Sequence, residues 1–538
     1  MSAVAAGDVH RERAWRPSRA RWLLVPAVLA GAPALLALGA LLAAWAEPDA
    51  ATWAHLGEHL LPGAALRTLL LAAGASALAM VLGASLAALV VLCDFRGRRV
   101  AEALLVLPIA MPAYVLAYAW LASFDVGSPL RAWAIAHTGS AAWLPSLRTL
   151  PGAIVLLALA NYAYVYLLVR ARLLSGGGAL LDAARSQGLA PAAAFARGVL
   201  PALRPALVGG GALVALESLA EFGAVSVLGI DTLSVLVYRT WYGMHALPAA
   251  TQLAGLLLLV ALLLRMAERA SAARATLPRG GRAAVAPPIV LGRRASVLAW
   301  IAVAVVVALG FGLPALRLAA WAFAADVDLA RLGHALAATA AVAGVAALAI
   351  VCAGLALALA GRASRAGARL EDIAGLGYAV PGVVLAVGLM FALVAAERAL
   401  HGAGIAIALS TSAFAVWLGL LARFVRVGTG AAASGLAALR PALGEAARSL
   451  GAGPWRRAWS LHLPLLRPAL AGGLLLAFVE CAKELPVTLM LRPFGLDTLA
   501  VRVYNATSEG LWQQAAAPAL LLCALGLWPA LALLRRRD

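Results

Sequence analysis

The chain has 538 residues, of which 64% are hydrophobic and only 12% charged, with a mean hydropathy of +0.93. No soluble domain hides that much apolar surface, so composition excludes a water-borne globular protein and points to a polytopic membrane protein. The net charge of +19 at pH 7 has a related origin. The arginines collect in loops between apolar runs, and without basic stretches interleaved with aromatics they exclude nucleic acid as a partner.

In chain order, a basic tail over 1–21 precedes the apolar run from Trp22 to Ala46. Ala44-Trp45-Ala46 mimics a signal cleavage site, but the run is too long for a signal core and suits an uncleaved spanning helix. Further runs of spanning length fall at about 66–93, 100–122, 150–170, 205–228 and 250–267. A second set falls at about 296–319, 334–361, 373–396, 403–422, 469–491 and 514–534. The predicted fold is all-α and polytopic, with about 12 transmembrane helices in two repeats of six. The first repeat covers 22–267 with its core at about 66–267, and the second covers 296–534 with its core at about 332–534. An Arg-, Ala-, Pro- and Gly-rich linker over 268–295 joins them, and a basic tail closes the chain at 535–538. Basic loops mark the inner side of a membrane. The N-terminal tail, the linker, the loop with Arg96, Arg98 and Arg99 and the C-terminal arginines are all expected in the cytoplasm, whereas Glu47–Gly63 has no Lys or Arg.

The most informative feature is a loop present twice. Residues 182–210 and 445–473 align without a gap, and 15 of 29 positions are identical. The similarity extends to Ala110-Met111-Pro112 and Ala379-Val380-Pro381, and to Thr232-Leu233 with Tyr238 and Thr498-Leu499 with Tyr504. Each repeat has an even number of predicted helices, so the copies run in the same direction across the membrane. In the second loop Glu445 reads as acid in a first helical turn, where it suits the dipole. Gly451 supplies a turn with positive φ, Trp455 and Trp459 share a helix face, and Leu463-Pro464 starts the next helix.

Ionisable residues inside membrane helices are functional candidates. Glu217 and Glu221 lie four apart, as do Glu480 and Glu484, and Lys483 has Ala220 as its counterpart. Two readings stay open at this point. The carboxylates line a path for a cation, or Lys483 neutralises its acidic neighbours and the group fixes helix packing. Cys93, Cys352, Cys481 and Cys523 form no C-x-x-C pair and read as small hydrophobes. The histidines show no metal-ligand spacing, so neither a metal site nor a cofactor is expected.

The duplicated loop resembles the signature of the permease subunits of ABC importers, E-A-A-x-x-x-G followed after nine residues by I-x-L-P. Glu445, Ala446, Ala447, Gly451, Leu461, Leu463 and Pro464 occupy those positions in the second copy. Asp182, Ala183, Ala184, Gly188, Gly198, Leu200 and Pro201 occupy them in the first, where Asp182 and Gly198 depart from the pattern. The resemblance implies that each loop seats on one of two separate ATPase subunits. The chain has a single lysine and no G-x-x-x-x-G-K-[ST] loop, so it is expected to be a transport subunit and not an enzyme. The stretches Lys483–Tyr504 and Ala220–Met244 resemble the fused permeases of ferric-iron importers, which implies iron(III) handed over by an extracytoplasmic binding protein. It also implies a multi-pass protein of the bacterial inner membrane, with lipid around it and both termini cytoplasmic. Oxygen ligands would suit such a hard cation. Thiamine, sulfate and polyamine permeases share the architecture. An ion-gradient-driven secondary transporter would also fit two parallel repeats, but it needs no ATPase handle.

Overall fold

A computed structural model describes residues 24–47, 49–175, 177–273, 288–453, 456 and 458–535. The protein is all-α. Among the described residues the only strands are Cys93–Asp94 and Ile289–Val290, paired in parallel. Among the described residues ten helices are long and apolar enough to cross a membrane, and eleven if one sharply bent pair counts as a span. Large apolar side chains such as Leu29, Leu42, Leu69, Leu298 and Leu348 stand exposed along them, as expected where lipid is the solvent.

Most predicted spans have a counterpart, and the differences have local causes. The run at 100–122 is not one straight helix: Arg98–Ala110 and Ala113–Thr138 meet at 89°, because Pro112 has no N–H and fixes an extended backbone at the break. The run at 403–422 begins late. Its helix spans Ala413–Ala438, with the Ser412 hydroxyl capping Ala415 N–H. The runs at 205–228 and 469–491 are each broken, since Leu200–Ala220 stops at Glu221 and Leu463–Lys483 stops at Glu484. The last run, at 514–534, forms the helix Trp512–Arg535, of which Trp512–Leu527 qualifies only as a shorter apolar segment. The end of the expected linker is ordered, because Ile289–Val290 forms half of the small ladder. Residues 274–287 lie outside the described residues, as do the N-terminal tail and residues 536–538.

Among the described residues one local pattern recurs four times. Short π-helical turns at Leu56–Leu60, Phe195–Val199, Ala308–Gly312 and Ala458–His462 are each followed by a Leu-Pro pair: Leu61-Pro62, Leu200-Pro201, Leu313-Pro314 and Leu463-Pro464. A proline ring cannot approach the carbonyl four residues back, and the preceding turn widens to bonds of one residue more. Leu200 N–H accordingly donates to Phe195 O.

The chain forms two compact units, neither continuous in sequence. One comprises 1–49, 245–255 and 333–501, so that Leu24–Ala43 packs on Arg365–Leu376, Gly382–Gly402 and Ala413–Ala438. The other comprises 50–244, 256–332 and 502–538. There Leu61–Leu92, Leu150–Leu174 and Leu200–Ala220 pack together, and Leu313–Ala324 lies against Trp512–Arg535. Small residues permit the approaches. In the first unit, a Cβ on Gly388 would stand 2.7 Å from Ala37 O, and a Cβ on Gly354 would sit on the backbone of Gly428 and Thr429.

This contact has a measurable consequence. Gly354→Val or Gly428→Val should force the Leu329–Ala363 and Ala413–Ala438 helices apart and cost at least about 1–3 kcal/mol. Gly344→Val, where a Cβ meets nothing within 4 Å, should leave the thermal midpoint in detergent unchanged. Equal midpoints for all three would contradict the close-packing account.

Candidate functional site

The two loops form helix–turn–helix elements. In the first, Gly177–Ser186 is followed by Pro191–Ala194, the π turn and the long Leu200–Ala220 helix. In the second, Pro441–Ser449 leads to Ala458–His462 and then Leu463–Lys483. The helices start earlier than the acid placement suggested. Pro441 begins its helix, and neither helix has an acid in its first turn, so Glu445 and Asp182 sit further along than the dipole argument assumed. Pro at a first helical position sets the start because its fixed φ is already helical.

The glycines behave as their spacing requires. Gly188 has φ +82° and Gly451 has φ +76°, and neither has an atom within 4 Å of where a Cβ would be. Ala452 N–H donates to Ala447 O at 2.9 Å, the six-to-one bond of a left-handed helix terminus. In the first loop Gly188 N–H donates to Arg185 O at 2.9 Å. Asp182, Ala183, Glu445 and Ala446 are exposed, while Ala184 is buried and Ala447 half-buried, so each loop presents an acidic, small-residue face outward. Leu200 and Pro201 are exposed, whereas Leu463 and Pro464 are half-buried. Trp455 lies outside the described residues. Above the first loop, Arg170 of the Leu150–Leu174 helix pairs with Glu102 at 2.6 Å, an ion pair that no sequence pattern announced.

The carboxylates stand at helix breaks. Glu221 has ψ 121° and Glu484 has ψ 116°, both extended, so each closes one helix. Each also accepts from the backbone three residues on: Ala224 N–H to Glu221 Oε1 at 2.7 Å, and Val487 N–H to Glu484 Oε1 at 3.3 Å. The carboxylate thereby takes the part of an N-cap for Gly223–Val227 or Pro486–Leu491, satisfying an amide that has no water to turn to.

Lys483 pairs with Glu480 at 3.3 Å, not with Glu484. Glu484 is held instead by Arg423, with Nε 3.3 Å from Oε2 and the two side chains 12% and 7% exposed. The guanidinium also donates to Val380 O at 3.4 Å. A Cβ on Gly382 would stand 2.6 Å from both Arg423 Nη1 and Glu484 Oε1, so glycine is required there to admit the pair. Sequence reasoning missed Arg423 because the apolar run ended at 422. The available signal was Ser412, a helix cap that moves the span onto Arg423. In the other unit, Phe222, next to Glu221, is buried with its ring centroid 5.0 Å from Tyr238 and 5.6 Å from Tyr504.

The family described as binding-protein-dependent transport system inner membrane component matches residues 350–536. The chain is 24% identical over 440 residues to the Fe(3+)-transport system permease protein FbpB 2 of Haemophilus influenzae, covering 80% of this chain and 81% of that protein. It is 30% identical over 152 residues to the putative 2-aminoethylphosphonate transport system permease protein PhnV of Salmonella typhimurium, 28% of this chain and 53% of that one. A third relative, the putative ferric transport system permease protein FbpB 1 of Haemophilus influenzae, is 32% identical over 135 residues, 25% of this chain and 20% of that one. The matched region contains the second loop, Arg423 and the Glu480–Glu484 segment. Residues 350–536 of this polytopic membrane chain belong to the family of binding-protein-dependent transport system inner membrane components.

Proposed function

We propose that the chain is the permease of an ATP-driven importer in a bacterial inner membrane, with both termini cytoplasmic, and that its loops at 182–201 and 445–464 each engage a separate ATPase subunit. One observation carries this reading. The same exposed helix–turn–helix, with its acid, two alanines and a glycine of positive φ, occurs twice in one membrane chain. A carrier driven by an ion gradient has no use for such a pair. Parallel repeats over 22–267 and 296–534 are supported by a bond made twice. Thr68 Oγ1 donates to Ala64 O at 2.7 Å and accepts from Leu233 N–H at 2.8 Å, and Thr339 Oγ1 does the same with Ala335 O and Leu499 N–H at 2.7 and 2.8 Å.

The substrate we infer is iron(III), delivered by an extracytoplasmic binding protein. The support is that the relative aligned over 80% of the chain is named for Fe(3+) transport, whereas the 2-aminoethylphosphonate relative aligns over 28%. Under this reading Glu217, Glu221, Glu480, Lys483 and Glu484 border the path, but the acids differ in kind. At the offset of 263 between the loops, Arg423 corresponds to Ala160, and at the offset of 269 between the Ala-x-Pro segments, Gly382 corresponds to Ala113. Glu484 is thus held by a guanidinium that has no counterpart at position 160. The test of substrate is binding-protein-stimulated ATP hydrolysis in proteoliposomes. Stimulation by the iron-loaded protein and none by 2-aminoethylphosphonate is expected; the reverse would overturn the iron reading.

Four further outcomes are expected. Gly451→Val forces a branched residue into a left-handed backbone at roughly 1–2 kcal/mol, so ATPase association should weaken about 5–30-fold while membrane insertion stays intact. Retained ATPase and full uptake would remove the coupling role from that loop. Gly188→Val should do less harm, since Asp182 and Gly198 already depart from the pattern; equal losses would contradict unequal loops.

Glu221→Gln keeps an oxygen for Ala224 N–H and removes the charge, so it should lower iron uptake with ATPase subunits still bound. Unchanged uptake would sink the pathway role of Glu221.

Glu484→Gln leaves Arg423 buried without its anion, a change that costs about 3–5 kcal/mol when a buried pair is broken. Its first effect should be a lower yield of folded protein, and Arg423→Met together with Glu484→Gln should recover most of that yield. No recovery in the double variant would show that the pair is not what limits folding.

A further inference from the structure

The small ladder of Cys93–Asp94 and Ile289–Val290 borders a cavity of about 770 Å³, a volume in the range of small-molecule sites. Its level in the membrane follows from the chain. The Leu61–Leu92 helix ends just before the ladder, and the Arg293–Val307 helix starts just after it. The lining therefore changes character with depth. Asp94, Arg96 and Arg293 lie at the polar ends of the two helices, and Val297, Ile301 and Ala304 descend one face of the second at helical spacing. Val297 and Ile301 are more than half exposed.

Two features make this a shaped site and not a gap between helices. The Trp300 indole N–H donates to Arg96 O at 2.9 Å, and its ring meets Phe95 edge-on with centroids 6.3 Å apart. Gly97, at φ +85°, lets that ring lie against the turn, where a Cβ would be 2.9 Å from it. The backbone that carries Arg96 is thus pinned. In addition, Asp94, Arg96 and Arg293 form no ion pair among the described residues although they line one cavity.

We propose that this cavity binds a glycerophospholipid of the phosphatidylethanolamine type, with its phosphodiester held by Arg96 and Arg293, its ammonium at Asp94, and an acyl chain along Val297, Ile301 and Ala304. Guanidinium groups match phosphate oxygens in geometry and charge, a tryptophan at this level is at home in the headgroup zone, and basic pockets between spans are recognised lipid sites. The carboxylate sets the headgroup. A phosphatidylglycerol would offer Asp94 a hydroxylated, uncharged end, whereas an ammonium pairs with its charge.

The experiment is native mass spectrometry of the whole chain in detergent after delipidation, with phosphatidylethanolamine, phosphatidylglycerol or inorganic phosphate added. Wild type should retain phosphatidylethanolamine in preference to phosphatidylglycerol. Arg96→Gln with Arg293→Gln should lose both lipids, and Asp94→Asn should lose the preference while still holding lipid. Ile301→Trp, which fills the apolar wall and leaves every charge in place, should also lose the lipid, so the assignment does not hang on the arginine variant folding well. Arg99→Gln, on an exposed arginine outside the cavity lining, should behave as wild type. Lipid retention that is the same in wild type and in the Arg96/Arg293 and Ile301 variants would overturn the proposal. So would binding of inorganic phosphate alone, or a preference that Asp94→Asn leaves intact.

Discussion

Every backbone amide and carbonyl that lies among lipid tails must find its partner inside the protein, because no water is there to supply one. Long helices meet this demand without help, and most of the chain is therefore helix. The interesting residues are those that meet it where a helix stops. Glu221 and Glu484 close one helix and cap the next with a carboxylate oxygen. Thr68 and Thr339 take a carbonyl from their own helix and give an acceptor to a distant amide. The four π turns relax the ladder where a proline cannot join it. Polar side chains in this protein are in large part repairs to the backbone, and a carboxylate performing such a repair is also a charge inside a membrane.

That double duty explains why the two acids differ. A buried anion is tolerated if it is paired, hydrogen-bonded or wetted. Arg423 supplies the first answer for Glu484, and Gly382 makes the room. The neighbouring Glu480 finds Lys483. In the other unit Phe222, the residue after Glu221, packs against the rings of Tyr238 and Tyr504. The guanidinium beside Glu484 has no counterpart at position 160, and a chain that carries both copies is free to specialise them separately.

Much of this was legible before any coordinates. Spanning helices follow from the length of apolar runs, and the turn glycines Gly188 and Gly451 from their spacing after an acid and two alanines. The breaks were harder. An acid within an apolar run reads as a charge on a helix, and only Gly223 and Pro486, two residues later, hint that the helix has ended. Arg423 was hidden because the span was expected at 403–422 and the helix runs Ala413–Ala438, and its partner could not be named because helix neighbours distant in sequence leave no local periodicity. The Arg170–Glu102 pair and the ladder at Cys93 were invisible for the same reason. What sequence shows well is local demand; what it does not show is which distant residue answers it.

The interleaving of the compact units bears on how the protein is made. The helix Leu24–Ala43 is the first described segment to leave a ribosome, yet the helices it packs against begin at Arg365, more than 300 residues later. At a synthesis rate of roughly 5–20 residues per second, it waits for something between a quarter of a minute and a minute with its small-residue face uncovered. The Leu313–Ala324 helix differs, since it meets the earlier Ala113–Phe124 helix, with Tyr118 and Trp321 stacked 5.8 Å apart, before Trp512–Arg535 is made. The helices Leu61–Leu92, Leu150–Leu174 and Leu200–Ala220 can meet early, whereas the packing of Leu24–Ala43 must await the second half of the chain.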